Sequence, residues 1–338
     1  MSAPDTESFR AIYPLAALGA GVTTLIATPL WRHWCLRIDL LDEPGHRKIH
    51  DQPIPLAGGL AVMTGLLVPI LVAASLLLWR SHGSILNTLA DNAVPLLRHG
   101  LSRRGLELGG ILLGAIGMLL VGCLDDKYEL RPKWKFMGQA LTALLVAASG
   151  ARITLFVSNP VFHYAVTTLW ILAVINAFNF MDNMNGLCAG LGAIAAAYFA
   201  GIAAAEGQYL VALIAFLTFG ALLGFLPYNF PHARAFLGDS GSHLVGYLLA
   251  VLAILPHFYT PQHPRHWAVL LPLCVLAVPL GDMAWVVVLR WRLGRPFYFG
   301  DTNHLSHRLV RRGLSRTRAV LVIWGIAVAF GALGLLIA

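Results

Sequence analysis

Charge is scarce in this chain. Asp, Glu, Lys and Arg together make up 12% of its 338 residues, about half the share of an ordinary soluble protein. Cysteine is scarce as well: Cys35, Cys123, Cys188 and Cys274 are scattered, with no CxxC spacing. That pattern argues for reduced, packed thiols and against a disulfide scaffold or a thiolate metal site. HExxH and DDxxD are both missing, which removes the zincin proteases and the aromatic prenyltransferases. There is no low-complexity linker and no convincing internal repeat. What is plentiful is apolar: 58% of the residues are hydrophobic and the mean hydropathy is +0.71. The length would suit two soluble domains, but a water-soluble fold of this size could not hide so much apolar surface. The chain reads as an integral membrane protein, in contact with the lipid bilayer.

A net charge of +8 would suit nucleic acid in a soluble protein. In a multi-span chain, however, Lys and Arg gather in cytoplasmic loops beside anionic lipid, so no nucleic-acid partner is expected. Stretches free of Asp, Glu, Lys and Arg run 11–31, 52–79, 108–124, 136–151, 153–181, 183–205, 207–233, 240–264 and 319–338, and 266–289 is broken by Asp282 alone. Each is near or above the roughly 17–25 residues that a spanning helix needs, with 108–124 and 136–151 the short ones. The first stretch follows Asp5 and Glu7 and lacks a small-x-small cleavage site, so it reads as a retained helix. The expected fold is all-α and polytopic, a single domain over 1–338 with about ten transmembrane helices (nine to eleven). Ten spans put both termini on one side. The loops 32–56, 125–135, 182, 228–239 and 290–318 carry 17 of the 24 Lys and Arg. The positive-inside rule makes those loops cytoplasmic and both termini external.

The same loops hold nearly all the polar chemistry. Asp125 and Asp126 end the span at 108–124, in GCLDDKYELRPKWKFMGQ; Asp182 ends the next long span, in NAFNFMDNMNGL. Asp239 lies in FLGDSGS, ten residues after Asn229, and His304 and His307 lie in DTNHLSHRLVRRGLS. Singly, each has an ordinary reading: a solvated helix end, a turn with a helix N-cap, surface histidines, a positive-inside anchor. Two acids at a helix C-terminus nevertheless oppose the macrodipole and sit poorly there unless something cationic compensates. Their coincidence on one membrane face suits a phosphorylated substrate. Mg²⁺ takes one or two carboxylates plus phosphate oxygens, Lys and Arg neutralise phosphate charge, and GDSGS offers backbone N–H groups at a helix start. Asp282, inside a span, reads equally as a functional group or as a buried structural partner of Arg290 or a loop cation.

Taken in order from about Asp42 to Ser315, these segments resemble the polyprenyl-phosphate N-acetylhexosamine-1-phosphate transferases, the glycosyltransferase 4 family. The resemblance is carried by DEPGHRKIHDQPIPLAGGLAV, LDDKYEL with Lys135 and Gln139, NAFNFMDNMNGL, PYNFPHARAFLGDSGS, and the intramembrane Asp with the His loop. It implies Mg²⁺, or alternatively Mn²⁺, as cofactor. The implied reaction takes a UDP-HexNAc, most simply UDP-GlcNAc, and polyprenyl phosphate to polyprenyl-diphospho-HexNAc and UMP, at the cytoplasmic face of a bacterial inner membrane. Carried over by position, Asp239 leads as metal ligand with Asp182 beside it, and Asp125 and Asp126 position or deprotonate the lipid phosphate with Lys135 nearby. Asn179 and Asn229 serve the nucleotide, and His304, His307 and Arg308 hold the diphosphate or sugar. Arg47, Lys48, His50 and Asn185 join as substrate-binding residues. A homodimer is also implied, with no distinctive small-xxx-small seam to locate it. The chain departs from the family pattern where DGxDGL becomes Asp182-Asn183-Met184-Asn185-Gly186-Leu187, and where Ser306 replaces a His. HLSHRL is closer to the GlcNAc-type branch than to the phospho-MurNAc-pentapeptide translocase, whose last loop usually carries a His run. A transporter would place its acids mid-membrane on broken helices, and a non-catalytic paralogue would follow if the two departures were disabling.

Overall fold

A computed structural model describes residues 11–43, 52–78, 85–155, 157–256, 266–296, 298 and 300–337. Each of the ten uncharged stretches contains a helix. In chain order these are α1 (Ile12–Arg37), α2 (Gly58–Leu78), α3 (Ile85–Tyr128), α4 (Pro132–Ser149), α5 (Pro160–Met181), α6 (Leu187–Ala205), α7 (Tyr209–Asn229) and α8 (Gly238–Leu252). A short α9 (Leu271–Val275) and α10 (Ala277–Arg292) follow, then α11 (Leu305–Arg311) and α12 (Arg316–Ile337). A two-stranded antiparallel pair, β1 (Leu41–Asp42) with β2 (Ile54–Pro55), closes the α1–α2 connection.

Local signals explain several boundaries. Pro160 opens α5, and the Asn159 side chain accepts from the Val161 N–H at 2.9 Å, an N-cap with proline at the first helical position. Pro132 opens α4, and Gly150 ends it in a left-handed conformation at φ 117°. α3 is a single 44-residue helix, so it begins well upstream of the stretch read at 108–124 and carries Arg103, Arg104 and Glu107 ahead of it.

Among the described residues, seven helices are long and apolar enough to cross a membrane; an eighth appears if the segment Trp267–Val275 and α10, bent by 75°, count as one broken span. Ten was expected. The two remaining helices are α4, which carries Lys133 and Lys135 in its first turn, and α8, which is only 15 residues long. At 1.5 Å per residue, α8 is shorter than the hydrocarbon layer is thick.

α8 is the hub. Every residue from Ser240 to Leu252 is buried, and glycines of its neighbours permit the approach. A Cβ on Gly122 of α3 would lie 2.3 Å from the Ser240 Cα, and one on Gly59 of α2 would lie 2.6 Å from the Gly241 nitrogen. A second close seam joins α1 and α7, where Gly220 and Gly224 rest on the backbone of Ala17 and Gly21. This is a small-xxx-small contact used within the chain, in a spacing that the sequence had not singled out. All four cysteines are free thiols.

Candidate active site

The ends of α3, α5, α7 and α8 meet the last loop around a cavity of about 860 Å³. Asp125, Asp126, Asp182 and Asp239 all line it, so four acids from three separate motifs share one space. Asn179, Asn185, Asn229 and His307 line it too, joined by Asp42, Asp301 and Arg316, which the sequence had not marked.

The two adjacent acids at the end of α3 have separate partners. Asp125 is buried and ion-paired to Lys135 at 2.6 Å, while its other oxygen accepts from the Leu130 N–H at 2.9 Å. Here is the cationic compensation that an acid at a helix C-terminus needs. Asp126 turns the other way and caps α8, accepting from the backbone N–H groups of Asp239 at 2.7 Å and Ser240 at 3.0 Å. Its charge thus moves from the negative end of its own helix to the positive end of another. Gly238, at φ 67°, supplies the left-handed turn and the room: a Cβ there would lie 2.8 Å from the Asp126 carboxylate. Of the N–H groups that GDSGS was expected to offer a phosphate, those of Asp239 and Ser240 are thus bonded to a side chain of the protein itself, and that of Gly241 to the Leu237 carbonyl.

Asp239 gathers the site. Its Oδ1 accepts from the Asn179 amide and lies 3.3 Å from the Lys135 ammonium, which bridges it to Asp125. Asn179 also donates to the Ser242 hydroxyl at 3.0 Å. One turn along the buried side of α8 lies His243, fully enclosed, with a ring nitrogen within 4.8 Å of carboxylate oxygens of both Asp125 and Asp239. This residue was missed from sequence, although its four-residue spacing from Asp239 puts both on one helix face. Asp182 lines the same cavity without joining that cluster. Burial, then the carboxylates of Asp239, Asp126 and Asp42, push its pKa well above the ordinary value.

The amides divide between cavity and scaffold. Asn229 is 2% exposed and fully engaged: its oxygen accepts from the Gly186 N–H at 2.9 Å and its NH₂ donates to the Ala235 carbonyl at 3.0 Å. Asn185, where the family pattern has an acid, donates to the Pro231 carbonyl at 3.0 Å. Ser306, where a His is usual, donates to the Asn183 oxygen at 2.7 Å and ties the last loop to the loop of Asp182. Both departures thus have defined structural partners.

Asp282 pairs with a loop imidazole, not with Arg290. His304 Nδ1 lies 2.6 Å from Asp282 Oδ2, and Oδ1 of the same carboxylate accepts from the Leu305 N–H at 2.6 Å. Arg290 instead holds Asp301 at 3.0 Å, with its guanidinium over the Phe180 ring. His304 therefore anchors α11 on α10, while His307 is the histidine that reaches the cavity. Arg308 stacks on Trp285. Arg47, Lys48 and His50 lie outside the described residues.

Comparison with known proteins agrees with the motifs. The family model for glycosyl transferase family 4 matches residues 108–257, the segment within α3 through α8 that supplies Asp125, Asp126, Asp182 and Asp239. A Mycobacterium tuberculosis protein named decaprenyl-phosphate N-acetylglucosaminephosphotransferase is 32% identical, over 94% of this chain and 81% of its own length. Its Mycolicibacterium smegmatis namesake is also 32% identical, over 94% of this chain and 80% of its own. An undecaprenyl-phosphate alpha-N-acetylglucosaminyl 1-phosphate transferase of Yersinia pestis is 27% identical over 86% and 75%. With identity of this extent running through the helices that build the cavity, the chain belongs to glycosyl transferase family 4, the polyprenyl-phosphate N-acetylhexosamine-1-phosphate transferases.

Proposed function

We propose that this protein transfers GlcNAc-1-phosphate from UDP-GlcNAc to polyprenyl phosphate, giving polyprenyl-diphospho-GlcNAc and UMP, as the first membrane step of a cell-envelope polysaccharide. The observation that carries the reading is the single cavity where Asp125 and Asp126, Asp182 and Asp239 converge, at the ends of the membrane-length α3 and α5 and at the start of the short, buried α8. An acceptor with a long isoprenoid tail needs that placement, because its chain must stay in the bilayer while its phosphate meets a water-soluble nucleotide. An oxygen of the lipid phosphate attacks the β-phosphorus of the donor, and the bond from that phosphorus to the oxygen bridging to the α-phosphate breaks. That oxygen leaves with UMP.

The residues support a division of labour. A divalent cation, Mg²⁺ by the family resemblance, would be held at Asp239 with Asp182 facing the same space, and the crowding of carboxylates there fits such an ion. When bound, it shields diphosphate charge during transfer. Asp125, paired to Lys135, faces the lipid phosphate. Asp126 holds α8 in place through its backbone bonds, and Asn229 does the same for the turn at Gly186, so neither is a direct substrate contact. His307 and Arg316 reach the cavity from the last loop and would meet the diphosphate. The finer topology belongs to the same proposal: ten membrane-embedded helices, both termini external, and the cavity open to the cytoplasm of a bacterial inner membrane.

Detergent-purified protein given UDP-GlcNAc, Mg²⁺ and undecaprenyl phosphate should release UMP, and omission of any one of the three should stop release. Asp239→Asn should lower the rate by roughly 100-fold or more. Turnover near wild type in a folded Asp239→Asn protein would overturn the role assigned to this carboxylate.

A further inference from the structure

His243 has no place in the division of labour above, yet it is wholly enclosed beside the site, at 0% exposure. A backbone carbonyl fixes the state of its ring from two side chains away. The Leu172 carbonyl of α5 can only accept, so Asn176 turns its NH₂ towards it, at 2.8 Å. The same NH₂ donates to the Gln139 oxygen at 2.9 Å. Gln139, also fully buried, therefore presents its own NH₂ to His243 Nε2 at 3.4 Å. Nε2 accepts, and the neutral ring carries its proton on Nδ1, which is buried without a partner. An unsatisfied buried N–H weakens a fold, and an apolar side chain at this position would be free of that penalty. A cost of this kind calls for an explanation outside packing.

The place of this relay in the helices supplies one. Gln139 lies four residues after Lys135 on α4, His243 four after Asp239 on α8, and Asn176 three before Asn179 on α5. Each therefore shares a helix face with a member of the cluster around Asp239. The upper tier joins the three helices at Asp239, which lies 3.3 Å from the Lys135 ammonium and accepts from the Asn179 amide. The lower tier joins the same three helices one turn deeper in each. A buried polar contact between helices fixes their register, because its bonds are directional where apolar contacts are not.

We infer that Gln139 and His243 are positioning residues for the transfer reaction: with Asn176 they hold α4 and α5 in register against α8, and so keep Lys135 and Asn179 on Asp239. The inference rests on the proposed function and adds to it two side chains that act through others. A shift of ~1 Å in a group of the site is enough to slow a reaction by about 100-fold. The loss falls on kcat more than on KM, because both substrates meet many other groups of the cavity in the ground state.

Thermal melts and UMP release at varied UDP-GlcNAc, on the detergent-purified full chain, test this. Gln139→Leu combined with His243→Leu removes both partners of one bond, so the melt should stay near that of wild type. Its kcat should nevertheless fall about tenfold or more, with KM changed by less than about threefold. A second pair of variants decides should the double variant fail to fold. His243→Gln sets an amide oxygen where Nε2 stands and should keep kcat within about threefold of wild type. His243→Asn sets its amide where Nδ1 stands, out of reach of Gln139, and should lower kcat about tenfold. A folded double variant with the kcat of wild type, or equal kcat in the Gln and Asn variants, would overturn the positioning role and leave the proposed function intact. No UMP release from folded wild-type protein would overturn the proposed function and the positioning role with it.

Discussion

Asn185 shows how a single residue changes meaning once its neighbours are known. Read against the family motif, it is a missing acid beside the presumed metal, and the effect of restoring the carboxylate is open. In the folded protein its NH₂ donates to the Pro231 carbonyl. A carboxylate there has no proton to give and sets its charge against that carbonyl oxygen. Asn185→Asp should therefore leave the rate unchanged or lower it by up to about tenfold, because a lost hydrogen bond is worth about 1 kcal/mol. UMP release is the measurement, and a clear gain would mean that the missing charge outweighs the strut. Asn229 and Asp126 follow the same logic. By the family resemblance Asn229 serves the nucleotide and Asp126 the lipid phosphate; in the fold the amide oxygen and nitrogen of the one and both oxygens of the other are bonded to backbone. Which polar atoms remain available is a property of contacts across the chain.

Among the elements, α8 and α11 matter most to the site. α8 was legible as an apolar stretch but not as the short central helix it is, because a run of hydrophobic residues does not say whether lipid or protein surrounds it. Its close contact with α3 makes Gly122→Ala a sharp probe. The added methyl would lie 2.3 Å from the Ser240 Cα, so α8 must move and take Asp239 with it. A loss of about 2 kcal/mol in stability, with a fall in transfer rate, is expected from overpacking of this kind. A thermal melt and a UMP assay on one preparation check both. α11 carries His307, whose pKa is lowered by burial first, then by the positive charges of His304, Arg311 and Arg316. A histidine with a depressed folded pKa adds stability that is complete above its unfolded pKa of about 6.5 and is lost as the pH falls through the folded value. Wild type should thus lose thermal stability below pH 6.5 more steeply than His307→Gln. Parallel pH profiles would contradict the assignment. If the proposed function holds, a diphosphate in the cavity would meet His307 as a neutral hydrogen-bond donor at neutral pH, with Arg316 as the cation beside it.

The whole molecule brings together segments that are far apart in sequence: 41–43, 125–129, 179–185, 229–239 and 300–320 all reach one cavity. That the charged loops belong to one face is an expectation from the positive-inside count. Helix number and orientation can be tested together. With ten embedded helices and both termini external, an alkaline phosphatase fused to the C-terminus in a bacterial host should be active and a fluorescent protein there should be dark. The reverse result would mean that α4, α8 or the bent segment before α10 does not cross.

From the sequence alone came the membrane class, the nearly all-helical architecture, the family and four of the acids of the cavity, Asp125, Asp126, Asp182 and Asp239. Hydropathy and charge are summed along a chain, and short motifs keep their order in it. Beyond reach were the capping of α8 by Asp126, the pairing of Asp282 with His304, the engagement of Asn185 and Asn229, and the enclosure of His243 beside Asp125 and Asp239. Each depends on which distant backbone or side chain comes within hydrogen-bonding distance. Helix packing sets that, through close approaches at residues such as Gly59, Gly122 and Gly220 that carry no chemistry of their own.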